Sequence, residues 1–370
     1  MSNKENIYVA KAFLPPFEEY SNYLKEIWES HQLTNGGPLV NKLEQELKEY
    51  LNLDTSSSLI YVTNGTLALQ LAIRALEVEG EVITTPFTYV ATVSSILWER
   101  CVPVFVDVDP ETLCIDPNKI EDAITPKTTA IMPVHVFGNP CDIDKIRTIA
   151  KRNNLKVIYD GAHAFGVETQ GKSLLDSGDI SICSFHATKL FHTIEGGCLV
   201  IKDRALANKV EIMRRFGHND DEHLMLGINA KASEFQAAMG LCNLKYIDGL
   251  IAQRKKIAEK YDKITKSLFK LPKWQKKTKY NYAYYPIITK DKEETLKLIR
   301  RFNENQIYPR RYFYPSLNKL PYLPIPKIQC KISEDISQRI LCLPLYNGLE
   351  PNEIERIGNI LNKGHIDDAW

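Results

Sequence analysis

The sequence has almost no excess of positive or negative charge. Its 47 lysines and arginines balance 46 aspartates and glutamates, which leaves a formal net charge of +1. That balance gives no electrostatic basis for binding nucleic acid or an anionic membrane. No apolar run reaches the length that spans a bilayer, and residues 1–6 lack the apolar core of a secretory signal. We therefore expect a cytoplasmic protein with no nucleic-acid or membrane partner.

Paired cysteine motifs are also missing. The eight cysteines are scattered along the chain, and no two of them form a C-x-x-C pair. Such usage is typical of a reducing compartment, where buried cysteine serves as a small apolar residue. The sequence therefore predicts neither a disulfide framework nor a metal site. Internal repeats and low-complexity segments are absent from the sequence as well.

The middle of the chain alternates short strands with helices. Apolar, β-rich runs at 82–84, 104–107 and 130–134 are separated by helical patterns near 88–99 and 142–153. This alternation is typical of α/β proteins, in which helical crossovers join the strands of a mostly parallel sheet. A chain of 370 residues, of which 44% are hydrophobic, suffices for one large domain and a smaller one.

A long helical pattern marks the expected domain boundary. It runs from Ala232 to about Leu268 with a possible break near Gly249, and an α+β pattern follows it. We predict a large domain over residues 1–250, including helices near the N-terminus, and a small C-terminal α+β domain over residues 251–370.

One lysine lies on a turn between two apolar strands. Lys189 follows the run 180–185 and precedes a Gly-Gly turn that leads into the run 198–201. Burial on such a turn lowers a lysine's pKa and frees its lone pair to attack a carbonyl. Hydroxyls at Ser184 and Thr188 suit a phosphate, so the stretch fits a lysine that carries pyridoxal phosphate (PLP). Taken alone, it also fits an ordinary solvated lysine.

An aspartate stands at the end of the apolar run 155–159. A carboxylate at the C-terminal end of a strand points into the crevice where α/β sheets bind ligands. Asp160 could there pair with the protonated pyridine nitrogen of PLP and keep the ring an electron sink. It could also cap the next segment or bind a metal with His163, although no third metal ligand stands at a suitable spacing.

Two further turns between strand and helix carry polar or aromatic residues. The N–H groups of Gly65 and Thr66 open a helix after the run 59–62 and make an anion site that suits a phosphate. Ordinary helix capping explains them equally well. After the run 82–84, Tyr89 could stack on a planar ring or pack in the core.

These motifs together resemble the DegT/DnrJ/EryC1/StrS family of nucleotide-sugar aminotransferases. The resemblance rests on Asn64-Gly65-Thr66, Pro86 to Thr92, Asp160 to His163 and Ser184 to Gly197, and it continues from Gly227 to Tyr346. The order of the motifs is more specific than any one of them. The resemblance implies PLP as cofactor and the type I, aspartate-aminotransferase-like fold of PLP-dependent transferases. It also implies a homodimer with active sites at the subunit interface.

The resemblance also implies roles for individual residues. Lys189 would bind PLP covalently and carry protons to and from the substrate carbon. Asp160 would hold the pyridine nitrogen, Tyr89 would stack on the ring, and His163 would lie near its oxygen face. The phosphate would be bound by Gly65, Thr66, Ser184 and, from the other subunit, Asn229.

The form of the lysine motif indicates, again by resemblance, which reaction is catalysed. An amino group would pass from L-glutamate to C4 of dTDP-4-keto-6-deoxy-D-glucose, for O-antigen or another glycan. A C3 aminotransferase acting on a dTDP-3-keto-6-deoxyhexose and an enzyme acting on a UDP-linked 4-keto sugar remain alternatives, and a PLP-binding regulator or scaffold is an alternative of another class. Candidate substrate residues are His186, Glu195, Arg215 and Tyr314, of which Arg215 could equally be a charge at a helix C-terminus.

Overall fold

A computed structural model describes residues 6–324 and 328–366 of the chain. The N-terminal stretch considered above therefore lies, apart from Asn6, outside the described residues, as do the last four residues of the predicted small domain. The helices are α1 Phe17–Ser30, α2 Pro38–Tyr50, α3 Gly65–Ala75, α4 Val90–Trp98, α5 Ile143–Arg152, α6 Arg204–Met213, α7 Glu234–Leu244, α8 Ile247–Thr265, α9 Lys292–Glu304, α10 Lys331–Arg339 and α11 Pro351–Ile366.

The strands are short, and those in the central sheet are buried at most of their positions. They are β1 Ile7–Tyr8, β2 Ser58–Val62, β3 Glu81–Thr84, β4 Val102–Phe105, β5 Thr128–Met132, β6 Lys156–Asp160, β7 Glu168–Thr169, β8 Lys172–Ser173, β9 Ile180–Ser184, β10 Gly197–Ile201, β11 His218–Asn219, β12 Glu222–His223, β13 Thr278–Lys279, β14 Tyr285–Ile288, β15 Ile307–Tyr308 and β16 Ile340–Leu343.

The central sheet has seven strands in the order β2-β10-β9-β6-β5-β3-β4. β10 is antiparallel to both of its neighbours, and the other pairs are parallel. The prediction of a mostly parallel sheet is therefore confirmed. Because β2, β3, β6 and β9 run in the same direction, their carboxyl ends meet at one edge of the sheet, where α/β proteins bind ligands.

Apolar helix faces cover the sheet on both sides. α3 buries Ala68, Leu69, Leu71 and Ala72 in a cluster that also contains Ile182 of β9. A second cluster includes Leu43 and Leu47 of α2 and packs on the opposite face. A strand buried on both faces is expected to be a nearly continuous apolar run, as β10 is.

The C-terminal part builds a separate, smaller sheet. β14 and β16 pair antiparallel, and α8, α9 and α11 contribute to the apolar cluster around them. β1 joins this part by pairing in parallel with β15. The predicted boundary after residue 250 lies inside α8, and the division into domains stays a prediction.

One local expectation was wrong. The long helical stretch is interrupted at Lys245–Tyr246 rather than near Gly249, which lies inside α8. The interruption is a tight turn in which the N–H of Tyr246 donates to the carbonyl of Asn243. Gly249 faces open space, so that nothing near it requires a glycine.

The cysteines behave as small apolar residues, because all eight are buried and free. Over the ranges 6–324 and 328–366, no cluster of three or more His, Cys, Asp or Glu side chains is arranged to hold a metal ion. In the same ranges, no helix is both long and apolar enough to cross a membrane. The absence of a metal and the cytoplasmic location stay predictions.

Candidate active site

A cavity of about 260 Å³ opens at the carboxyl edge of the central sheet. Its walls come from the turns after β2 and β3, the ends of β6 and β9, the loop between β9 and β10, and the C-terminal part of the chain. Ten residues singled out from the sequence line it: Gly65, Thr66, Tyr89, Asp160, His163, Ser184, His186, Thr188, Lys189 and Glu195. Predicted residues up to 130 positions apart along the chain, from Gly65 to Glu195, therefore meet at one site.

Lys189 is half-buried on a tightly bonded loop. Its N–H donates to the carbonyl of His186 at 2.8 Å, and Phe185 donates to Gly196 at 2.8 Å across the base of the loop. Burial lowers the pKa of the Lys189 ammonium, while Asp160 opposes that change. The lysine is therefore more easily deprotonated than a solvated one, as a nucleophile and proton carrier requires.

A buried histidine anchors the loop that carries Lys189. His192 is 2% exposed, and its Nε2 lies 2.7 Å from the carbonyl oxygen of Phe13. Asn243 of α7 donates from its side chain to the carbonyl of His192 at 2.8 Å. Burial lowers the pKa of His192, so the ring stays neutral. These contacts join the lysine loop to two distant segments, and no local sequence pattern predicts them.

Asp160 is a buried carboxylate with two hydrogen bonds. Oδ2 accepts from the hydroxyl of Thr92 at 2.7 Å, and Oδ1 accepts from the N–H of Ala162 at 3.1 Å. Burial raises the Asp160 pKa, whereas Thr92, Ala162 and Lys189 act in the opposite direction. Sequence reasoning missed Thr92, although its place one helical turn after Tyr89 puts it on the same side of α4.

The start of α3 forms an anion cradle beside Ser184. Asn64 caps the helix by accepting from the N–H of Leu67 at 2.8 Å, which leaves the N–H groups of Gly65 and Thr66 without an acceptor among the described residues. A Cβ on Gly65 would lie 3.0 Å from the Cβ of Ser184. Free N–H groups at a helix start favour an anion such as phosphate.

His163 lies against aromatic rings at the opposite wall. Its Nδ1 accepts from the N–H of Phe137 at 3.3 Å, and its ring centroid is 4.6 Å from that of Tyr284. Burial, with a smaller contribution from Lys189, lowers the His163 pKa well below its usual value. Because Nδ1 accepts a hydrogen bond, the proton of the neutral ring is assigned to Nε2.

Two of the candidate substrate residues contact each other. Nε2 of His186 lies 3.5 Å from Oε1 of Glu195, and both side chains are about half exposed at the cavity mouth. Tyr314 lies instead in an adjoining groove, where the guanidinium of Arg311 stands 3.5 Å from its ring centroid.

Arg215 and Asn229 lie away from this chain's own cavity. Arg215 pairs with Glu211 at 2.6 Å, and its backbone bridges to that of Asn229. The neighbouring Arg214 is buried between Glu44 and Glu211. The geometry of Arg215 matches the alternative of a charge near a helix end, and the roles of both residues in substrate or cofactor binding stay predictions.

The C-terminal part supplies cavity residues that sequence reasoning did not assign. They are Tyr284, Arg310, Tyr312 and Phe313. Arg310 exchanges two backbone hydrogen bonds with Cys342 of β16, at 3.1 and 2.8 Å. The only signal was the cluster of arginines and tyrosines around residue 310, which does not show which side chain faces the site.

Comparison with known proteins now identifies the family. The DegT/DnrJ/EryC1/StrS aminotransferase family model matches residues 17–362. The chain belongs to this family. A dTDP-4-amino-4,6-dideoxy-D-glucose transaminase of Shigella dysenteriae is 42% identical over 95% of this chain and 97% of its own. An Escherichia coli protein of the same name is 36% identical over 97% and 99%.

A solved structure confirms the fold. DesI, crystallised in the presence of its TDP-sugar product, superposes with a TM-score of 0.91 at 29% identity, covering 97% of this chain and 93% of DesI. The type I, aspartate-aminotransferase-like fold predicted from the sequence is therefore confirmed. Like the other members of its family, this aminotransferase depends on PLP.

The residues of the cavity fit that cofactor. PLP has three groups that need a partner. A buried carboxylate suits its pyridine nitrogen, a half-buried lysine suits its aldehyde, and a helix start with two free N–H groups suits its phosphate. Asp160, Lys189 and the cradle of Gly65, Thr66 and Ser184 would hold these groups in that order. Tyr89, which is 57% exposed at the cavity wall, is free to cover a bound ring.

Proposed function

We propose that this aminotransferase moves an amino group from L-glutamate to C4 of dTDP-4-keto-6-deoxy-D-glucose. The products would be 2-oxoglutarate and dTDP-4-amino-4,6-dideoxy-D-glucose. The observation that carries the proposal is the convergence of Lys189, Asp160 and the α3 cradle in one cavity. The choice of sugar is supported by the two relatives of 42% and 36% identity that are named for this product.

In this reaction Lys189 would transfer protons, and Asp160 would position the cofactor. When bound, PLP supplies an electron sink for the carbon that bears the amino group. The neutral amine of Lys189 would take a proton from that carbon in the donor and return one to C4 of the sugar. Asp160, whose charged form is favoured by the hydrogen bond from Thr92, would face the pyridine nitrogen.

The spectrum of the purified protein tests the proposal. We expect a visible absorbance band of bound PLP that L-glutamate removes and that dTDP-4-keto-6-deoxyglucose restores, with an amino sugar appearing at C4. Lys189→Ala should bind PLP without the glutamate response, and Arg300→Gln, an exposed change on α9, should behave as wild type. Restoration of the band by a dTDP-3-keto-6-deoxyhexose, and not by the 4-keto sugar, would support the C3 alternative instead. A glutamate response that no dTDP sugar reverses would refute the substrate and keep the aminotransferase.

The proposal includes a homodimer in which Asn229 of one subunit reaches the phosphate site of the other. Near Asn229 the surface exposes large apolar side chains: Phe216 is 52%, Leu226 74% and Ile228 43% exposed. A contiguous apolar surface of this kind suits a subunit contact. This part of the proposal has its own test, because two defective variants can complement each other in a shared site.

Mixed dimers of Lys189→Ala and Asn229→Ala would contain one intact and one doubly defective site. Random mixing should therefore recover about a quarter of wild-type activity, since half of the dimers are mixed and each has one working site. The control is the mixture of Lys189→Ala with itself at the same concentration. Activity no higher than the sum of the two separate variants would show that Asn229 does not act across an interface.

A further inference from the structure

The cavity contains a cation that the cofactor does not use. Charged or ionisable side chains on its wall are Asp160, His163, His186, Lys189, Glu195 and Arg310. Of the lysine and the arginine in this set, Lys189 is committed to the cofactor. Arg310 therefore remains the cation available to a substrate.

The guanidinium of Arg310 has no acidic partner in the described ranges. Neither an ion pair nor a hydrogen bond joins it to any residue there, and its recorded contact is the ring of Tyr312, whose centroid is 5.4 Å away. Arg214 and Arg215, by contrast, are held by carboxylates. An unpaired guanidinium facing a cavity can bind an oxyanion through two parallel hydrogen bonds.

The backbone holds Arg310 in place at the junction of two spaces. Its two hydrogen bonds to Cys342 anchor it to β16, a strand buried along its whole length. The side chain lines both the Lys189 cavity and the adjoining groove of about 320 Å³ that contains Arg311, Tyr314 and Tyr322. An anion bound by Arg310 would therefore lie beside the reacting centre and at the entrance to the groove.

We infer that Arg310 binds the oxyanion of a substrate and so sets its position relative to Lys189. The inference rests on the proposed function, in which both substrates are anions: the donor carries an α-carboxylate, and the nucleotide sugar carries a diphosphate. The two groups share the chemistry that a guanidinium recognises. Arg310 is a specificity-determining residue in this role, and proton transfer remains with Lys189.

Two comparisons of probes separate the carboxylate from the diphosphate. In the first, the rate of band loss with L-glutamate is compared with that of its α-amide, which lacks the charge. In the second, inhibition of this band loss by dTDP, which carries the diphosphate, is compared with its inhibition by thymidine, which does not. Neither comparison uses the keto sugar, so that a wrong sugar in the proposed function leaves both comparisons interpretable.

Arg310→Gln should reduce the wild-type preference for the charged probe by about 10- to 100-fold in at least one comparison, since a hydrogen bond to a charged group has about that effect. A loss confined to glutamate assigns Arg310 to the donor carboxylate, and one confined to dTDP assigns it to the diphosphate. Arg310→Lys should restore part of the loss, because it keeps the charge without the fork.

Controls distinguish binding from a structural role. The PLP band and the unfolding midpoint of Arg310→Gln should equal those of wild type, and Arg300→Gln should preserve both preferences. The inference is overturned if Arg310→Gln keeps the wild-type preference in both comparisons. It is equally overturned if the charged and uncharged probes lose rate in parallel while the PLP band changes.

Discussion

Replacing Glu234 with glutamine should destabilise the fold although this residue lies outside the cavity. Glu234 is the first residue of α7, and it is 1% exposed. Its carboxylate lies at the start of α2. Its Oε2 accepts from the N–H of Leu39 at 2.8 Å, and its Oε1 accepts from the N–H of Val40 at 3.0 Å. Two orphan donors and the positive end of the α2 dipole thus meet one buried negative charge.

The amide of glutamine has one oxygen for these two donors and presents an NH₂ group to the other. Leaving a buried N–H unsatisfied costs about 1–3 kcal/mol. Loss of the charge at the helix start adds about 0.3–1 kcal/mol. The carboxylate also packs closely against the backbone of Gly37, because a Cβ on Gly37 would lie only 2.6 Å from the Cδ of Glu234. We expect the free energy of unfolding to fall by about 1–4 kcal/mol in Glu234→Gln.

Guanidinium unfolding monitored by far-UV circular dichroism measures this change. Protein and PLP concentrations are held constant, because ligand and subunit binding shift apparent stability. Glu259→Gln is the matched control, since Glu259 is exposed on α8, and it should stay within about 0.5 kcal/mol of wild type. A Glu234→Gln protein as stable as Glu259→Gln would refute the capping role.

Two further predictions concern other sites. Burial lowers the pKa of His135 to about 3, so the unfolded chain binds a proton below about pH 6.5 that the folded state does not. The free energy of unfolding should therefore fall as the pH drops from 6.5 toward 3. In unfolding titrations, His135→Gln should reduce the slope of this fall by up to about 1.4 kcal/mol per pH unit. A slope equal to that of wild type would contradict this prediction. Gly65→Ala places a Cβ 3.0 Å from Ser184 and should weaken PLP binding roughly tenfold in absorbance titrations of the apoprotein. Gly249→Ala, which meets open space, is its control, and equal affinities of the two variants would exclude a role for Gly65.

The sheet was predictable because its strands are apolar runs separated by turn residues. Strand ends were less predictable. The runs at 104–107 and 130–134 suggested strands that continue further than Val102–Phe105 and Thr128–Met132 do. The reason is that Val106 and Val134, each 4% exposed, stay in the core beyond the strand ends, where single backbone contacts to neighbouring strands continue: Val106 donates to Thr84, and Val134 bridges to Asp160. Apolar character reports burial, whereas a strand end is decided by hydrogen bonding.

The same distinction explains what could be predicted of the site. Gly65 and Lys189 follow strands and Asp160 ends one, so that local sequence places them at one edge of a mostly parallel sheet. Arg310 reaches the cavity only because its backbone pairs with Cys342, and that pairing depends on tertiary packing. Thr92 stands between these cases, since its helix is predictable and its bond to Asp160 is not.

The pairing of β1 with β15 has a consequence for how the protein is made. Ile7 is fully buried in the C-terminal cluster and pairs with Ile307, three hundred residues later. A ribosome adds roughly 5–20 residues per second, so the first strand waits about 15–60 s for its partner to emerge. The central sheet can assemble during that interval. The N-terminal segment would then dock only after the central sheet has formed.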